Sequence, residues 1–229
     1  MTDGPTRHDL LAVEPSGWTA VAATRASRPP LPAEAAALVG RWGAVGWPVI
    51  ARRAAGGDPA DAVPVGLPLP PRLGKARVAL AVPHGVAWRP VPRPALAELR
   101  AAPEPWRVTI DAVLSLGAAL DLAPGVFGAL LWHRLTGLAY LHPGSDLDLL
   151  WTVADPAAVP PLLDGLARLD AEGPVRIDGE VRTPHGDVNW RELAAARRGE
   201  APVVLVKTAA QAGFATVADL FAPEALPCS

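Results

Sequence analysis

Near its middle the chain reads SDLDLLWTV over residues 145–153, and the alternation is strict enough to limit what this stretch can be. Asp146 and Asp148 fall on one side, while Leu147, Leu149, Trp151 and Val153 fall on the other. Side chains of a strand alternate with period two, so the pattern predicts a strand with an apolar back and two neighbouring carboxylates on its front. Ser145 to Asp148 also fits the S-x-x-D capping box that opens a helix. A 3.6-residue period would break the alternation before Val153, however, and Thr152 and Val153 favour strands. The strand reading is preferred. Upstream, VFGALLWHRLTGLAYLHPG reads as a strand end at Val126 and Phe127, a turn at Gly128, an apolar helix and a Pro-Gly loop. Paired carboxylates on a strand suit the holding of divalent cations against phosphate oxygens.

The remainder of the sequence bounds that chemistry. A net charge of −2 gives no global basic field, which argues against a nucleic-acid partner and makes any anion site local. The single cysteine, Cys228, forms no internal disulfide, as expected of a cytoplasmic protein. No apolar run reaches membrane-spanning length, and the first residues lack a basic-then-apolar signal pattern. The 27 prolines are spread over connections, predicting stiff loops and no disordered linker.

Before residue 90 the expected elements are mostly extended. Arg7-His8-Asp9-Leu10-Leu11 starts an element, and an alanine-rich helix spans 32–42 with Gly43 and Gly46 closing it. Strands are expected at 48–54 and 78–82, with an extended segment at 63–70, where prolines exclude a helix. Arg52, Arg53, Arg72, Lys75 and Arg77 gather near strand ends and turns, and scattered surface charge is the default account of them. Alternating prolines at 90, 92 and 94 mark a stiff connector, dividing a β-rich module (1–90) from a second domain (91–229). There helices are expected at 95–102 and 106–120, the latter burying Val108, Ala112, Leu116 and Ala119. Another helix at 157–171 carries a stripe of Leu162, Leu163, Leu166 and Leu169. Residues 175–178 form a strand that 180–183 continues or pairs with, and 184–187 turn the chain. A helix at 190–198, a buried strand at 203–206 ending on Lys207 and a short helix at 217–221 complete an α/β or α+β pattern, a sheet with helices packed against it.

The second half has the order glycine turn, helix, strand with D-x-D, later strand with a further acid. That order resembles the polymerase-β-type nucleotidyltransferase superfold. The resemblance implies an α+β fold, in which a mixed sheet with flanking helices follows the β-rich module. More narrowly, VFGALLWHRLTGLAYLHPGSDLDLLW, with RIDGEV, VNWREL and VLVK downstream, is similar to malonate decarboxylase holo-acyl-carrier-protein synthase, the phosphoribosyl-dephospho-CoA transferase family. RHDLL, VIARR, VGLPLP and GKARVAL extend the likeness over nearly the whole chain.

The resemblance implies a reaction in which a serine of the apo acyl carrier protein of malonate decarboxylase attacks triphosphoribosyl-dephospho-CoA and releases diphosphate. It implies that Asp146 and Asp148, with Asp178, hold Mg²⁺ (or Mn²⁺), that a third acid helps deprotonate or orient the serine, and that Gly128 and Ala129 present backbone N–H groups to phosphate. The third acid is Asp178, which follows an apolar residue, or Glu180; Asp178-Gly179 is also a favoured hairpin turn. Asp178 is preferred. Arg52, Arg53, Lys75, Arg77 and Lys207 gain a candidate ligand in the donor phosphates. Ala129 stands where the superfold has serine, so a hydroxyl contact is missing, with Ser145 a candidate replacement. His133, His142 and His185 show no metal-ligand spacing, and Trp132, Trp151 and Trp190 read as core. Two other readings stay open: transfer of AMP by another nucleotidyltransferase, and a lapsed fold that only binds a carrier protein.

Overall fold

The computed structural model describes residues 4–25, 29–74, 76–99 and 102–222; Lys75 and Cys228 lie outside the described residues. The chain folds as two compact units, residues 1–93 with 135–140, and residues 94–134 with 141–229. No described helix is long and apolar enough to cross a membrane.

In the first unit, β1 (Leu10–Val13) leads to helices α1 (Trp18–Ala23) and α2 (Ala33–Val45). Strands β2 (Val49–Ala51), β3 (Val63–Pro68), β4 (Arg77–Val82) and β5 (Trp88–Val91) follow. They form an antiparallel sheet in the order β4-β3-β2-β1-β5. A buried tryptophan usually finds a partner for its indole N–H. Trp18 donates to the Val39 carbonyl at 2.8 Å and Trp42 to that of Pro48 at 3.0 Å, tying α1 to α2 and α2 to the entry of β2. Tyr140, far along the chain, joins this unit by donating its hydroxyl to the Pro68 carbonyl at 2.8 Å, and burial raises its pKa. Pro90 and Val91 are extended and end a strand, with Pro90 opposite Leu11, and the division between the two units falls just beyond them, between Arg93 and Pro94. β5 is an edge, where a missing N–H leaves no neighbour unpaired.

Strand β2 is also shorter than its sequence suggests, and Arg52 shows why. Its Nε donates to the Val65 carbonyl (2.9 Å), while the terminal nitrogens reach the carbonyls of Arg53 and Leu80 and both oxygens of Asp58. All five guanidinium donors are thereby used, and the side chain takes over where the β2 backbone leaves the sheet. Asp58 is almost fully buried, with 5% of its side chain exposed. Arg52→Met would remove the guanidinium that neutralises that buried carboxylate, and we expect it to lower unfolding stability by about 3–5 kcal/mol, measurable by urea denaturation.

The second unit opens with a single 3₁₀ turn at Leu96–Leu99, where a longer helix over 95–102 was expected between prolines. Helix α3 (Glu104–Leu120) follows, then β6 (Pro124–Val126), α4 (Gly128–Thr136), β7 (Leu147–Thr152) and α5 (Val159–Glu172). Strands β8 (Ile177–Thr183) and β9 (Gly186–Asn189), helix α6 (Trp190–Arg197), and strands β10 (Val204–Lys207) and β11 (Ala212–Ala215) complete it. The stripe expected on α3 is displaced. Trp106, Thr109, Ile110, Val113 and Gly117 are buried, whereas Val108 is 57% exposed. The large Trp106 and Ile110 set the buried face, and apolar Val108 is left outside it. The helix expected at 217–221 is a 3₁₀ turn, Asp219–Phe221, and β11 was not anticipated because Ala and Gly are weak strand formers.

The six-stranded sheet runs β11-β10-β9-β8-β7-β6, and only β7 and β8 pair in parallel. Parallel neighbours need a crossover, and α5 provides it. One face of the sheet carries Leu147, Leu149, Trp151, Ile177, Val181, Val188, Val204 and Val206, all buried. Gly117 of α3 lies against the Trp151 ring, and α5 and α6 pack alongside, so the helices cover this apolar face. The period-two alternation then leaves polar residues for the opposite face.

Candidate active site

That opposite face carries the acids. Asp146 immediately precedes β7 and Asp148 lies within it, so the segment is extended and the capping-box helix does not form. The β7–β8 register sets Asp148 beside Asp178, two residues on from the Asp146–Arg176 approach. Strand β8 runs unbroken from Ile177 to Thr183, so Asp178-Gly179 is no hairpin turn and Glu180 shares the face of Asp178. Gly179 is there for a different reason. Its φ of +142° brings it against the Leu149 backbone on the neighbouring strand, leaving no room for a side chain.

Gly128 fixes the relation between α4 and β7. Its φ is +66°, and the position a Cβ would take is already filled by the Asp148 carboxylate. Phe127 N–H donates to the Asp148 carbonyl at 3.0 Å, so the strand-to-helix corner is pinned to this residue at both its backbone and side chain. Buried Leu130, Leu131 and Trp132 anchor the rest of α4. Ala129 is half-buried in the first turn of that helix. Ser145 is buried and closes its own loop: its Oγ accepts from His142 N–H at 3.1 Å, and its N–H donates to the His142 carbonyl at 2.9 Å.

Each acid is held by a different partner. Asp146 leans toward Arg176, with Oδ1 to Nε at 3.8 Å, the carboxylate half-buried and the guanidinium exposed. Asp178 Oδ1 accepts from Gly179 N–H at 2.8 Å and from Asn189 Nδ2 at 3.1 Å. Glu180 is buried and paired with Lys207 Nζ at 3.1 Å. Beyond it, Asp187 is buried and takes two hydrogen bonds from Arg182, at 2.7 and 3.1 Å.

The structure therefore brings Asp146, Asp148, Asp178, Glu180 and Lys207 onto one sheet face, with Gly128 and Ala129 at the helix start beside Asp148. In the first unit, Arg52 is occupied internally, and Arg53 and Arg77 are exposed. His142 Nδ1 accepts from Gly144 N–H at 3.1 Å and His185 Nε2 meets the Ala222 carbonyl at 2.7 Å, both in loops. Trp132, Trp151 and Trp190 are core, as expected. Sequence reasoning missed Arg176 and Asn189. The signal for Asn189 was present: Asn-x-x-Glu before an apolar run is a helix start, and Asn189 does cap α6. A strand-end asparagine that also reaches sideways to an acid has no such signature.

Residues 94–218 match the family described as phosphoribosyl-dephospho-CoA transferase MdcG C-terminal domain, and residues 6–91 match the corresponding N-terminal domain. Among curated relatives, a phosphoribosyl-dephospho-CoA transferase of Bradyrhizobium diazoefficiens is 37% identical, covering 89% of this chain and 87% of its own length. One from Xanthomonas axonopodis pv. citri is 37% identical over 88% of this chain and 90% of its own length. Another from Pseudomonas aeruginosa is 35% identical over 88% and 92%. No solved structure matches the chain.

Proposed function

The chain belongs to the phosphoribosyl-dephospho-CoA transferase family, a family of transferase enzymes, and from that premise we propose that it loads a prosthetic group onto a carrier protein. The acceptor is a serine of the apo acyl carrier protein of malonate decarboxylase, and the donor is triphosphoribosyl-dephospho-CoA. The serine oxygen bonds to the α-phosphorus of the donor. The bond from that phosphorus to the oxygen bridging the β-phosphate breaks, and diphosphate leaves with its electron pair. The serine proton passes to solvent or a nearby carboxylate. The carrier then bears a phosphoribosyl-dephospho-CoA group through a phosphodiester. We place the reaction in the cytoplasm, because the pantetheine thiol of that group stays free only in a reducing compartment.

The observation that carries this reading is the pairing of Asp148 with Asp178 across two parallel strands, with Asp148 seated against Gly128 at the head of α4. A donor set made only of carboxylate oxygens fits a hard cation such as Mg²⁺, with Mn²⁺ a substitute. Asp146, Asp148 and Asp178 would hold it. When bound, the ion offsets charge on the phosphoryl oxygens and lowers the pKa of a coordinated hydroxyl. Asp146 must leave Arg176 to join such a site, and their long contact, at an exposed guanidinium, makes that inexpensive. Asp178 is favoured over Glu180 as third acid because Lys207 already neutralises Glu180. Donor phosphates would meet the first backbone N–H groups of α4, where Ala129 offers no hydroxyl, so binding there rests on the backbone.

The test is the intact mass of the apo carrier after incubation with this protein, Mg²⁺ and donor, in parallel with ATP. An added mass equal to the phosphoribosyl-dephospho-CoA group is expected from the donor alone. Modification from ATP alone would favour nucleotidyl transfer of another kind, and no modification with either would favour a lapsed fold.

A further inference from the structure

We infer that Asn189 is a positioning residue that aims Asp178, an inference that rests on the metal-binding reading of the acidic face. Asn189 ends β9 and caps α6, and its side chain is engaged at both ends. Its Oδ1 accepts from the N–H groups of Arg191 (2.9 Å) and Glu192 (3.4 Å), while its Nδ2 donates to Asp178 Oδ1 (3.1 Å). This orientation of the amide follows from its neighbours. Backbone N–H groups only donate and a carboxylate only accepts, so oxygen must face the helix and nitrogen must face Asp178.

The consequence falls on the two oxygens of Asp178. Oδ1 receives two hydrogen bonds, from Asn189 Nδ2 and from the N–H of Gly179. Oδ2 has no hydrogen-bond partner among the described residues, so it is the oxygen presented to a ligand. Two fixed donors on one oxygen lock the rotation of the carboxylate, as outer-shell partners do at metal sites generally. The lock is itself anchored. Arg191, next after Trp190, donates to the Ile177 carbonyl and pairs with Asp170, both at 2.8 Å, so the start of α6 is held to the start of β8. Asn189 thus transmits the placement of a helix to one carboxylate.

The test uses Asn189→Ser in the full-length protein. Serine caps a helix as well as asparagine does but has no amide to reach Asp178. Binding of Mn²⁺ alone, read by electron paramagnetic resonance, should weaken about tenfold or more. The thermal midpoint should move by no more than about 2 °C, since the cap is retained. In an Asp178→Ala background the same substitution should cause no further loss, because its target is gone. Wild-type Mn²⁺ affinity in Asn189→Ser, or an equal further loss without Asp178, would overturn the inference. Asp148→Ala separates this from the parent reading. Unchanged Mn²⁺ binding in that variant removes the metal site altogether, whereas loss there with no effect of Asn189→Ser removes only the role of Asn189.

Discussion

Asp148→Asn is expected to abolish carrier loading, by about a thousandfold or more, while leaving the protein folded. Such a loss corresponds to about 4 kcal/mol of transition-state stabilisation. The amide is nearly isosteric with the carboxylate, so the seat against Gly128 and the backbone bond to Phe127 survive. What disappears is the negative charge at the residue paired across the sheet with Asp178. The apolar back of β7 is untouched, because Leu147, Leu149 and Trp151 carry the packing. Circular dichroism and the thermal midpoint should therefore match the wild type while the mass shift of the carrier vanishes. Loading at more than a tenth of the wild-type rate would remove Asp148 from the chemistry.

Gly128→Ala should be nearly as damaging, through geometry and not charge. A residue with a Cβ costs about 1–2 kcal/mol in the left-handed region that Gly128 occupies. Here the new methyl also lands on the Asp148 carboxylate. The clash is relieved either by moving Asp148 off its position or by shifting the start of α4, and both disturb the relation between acid and helix. We expect the loading rate to fall at least about a hundredfold, since misplacement by about 1 Å has that scale of effect. A midpoint lowered by roughly 2–8 °C should accompany it. Normal turnover of a stably folded variant would show that the corner between β6 and α4 does not set the site.

Periodicity made much of this legible. The alternation through Val153 identified β7 and separated its carboxylates from its packing side, because a sheet with one covered face demands that separation. The buried leucines of α5 were equally readable, at 162, 163 and 166. The α3 stripe was not, because its buried residues include Thr109 and Gly117, which no hydrophobic pattern marks. Arg52 shows a related difficulty: a cation beside a strand end looks available in sequence, whereas the carbonyls of Val65 and Leu80 and the carboxylate of Asp58 surround it in the fold. In the sequence, only the apolar residue before it favours Asp178 over Glu180. What separates them is Lys207, 27 positions downstream, whose approach depends on strand order.

The lone parallel seam in an otherwise antiparallel sheet makes the chemistry intolerant of length changes within its strands. Leu147 opposite Ile177 and Asp148 opposite Asp178 belong to a single alignment. Adding or removing one residue inside either strand would turn the carboxylates into the oily interior and swing isoleucine and leucine outward. Extra residues in the turns flanking the α5 crossover would leave that alignment intact. Evolutionary drift in this protein should accordingly collect as insertions and deletions around the crossover, and be purged from the two short segments it joins.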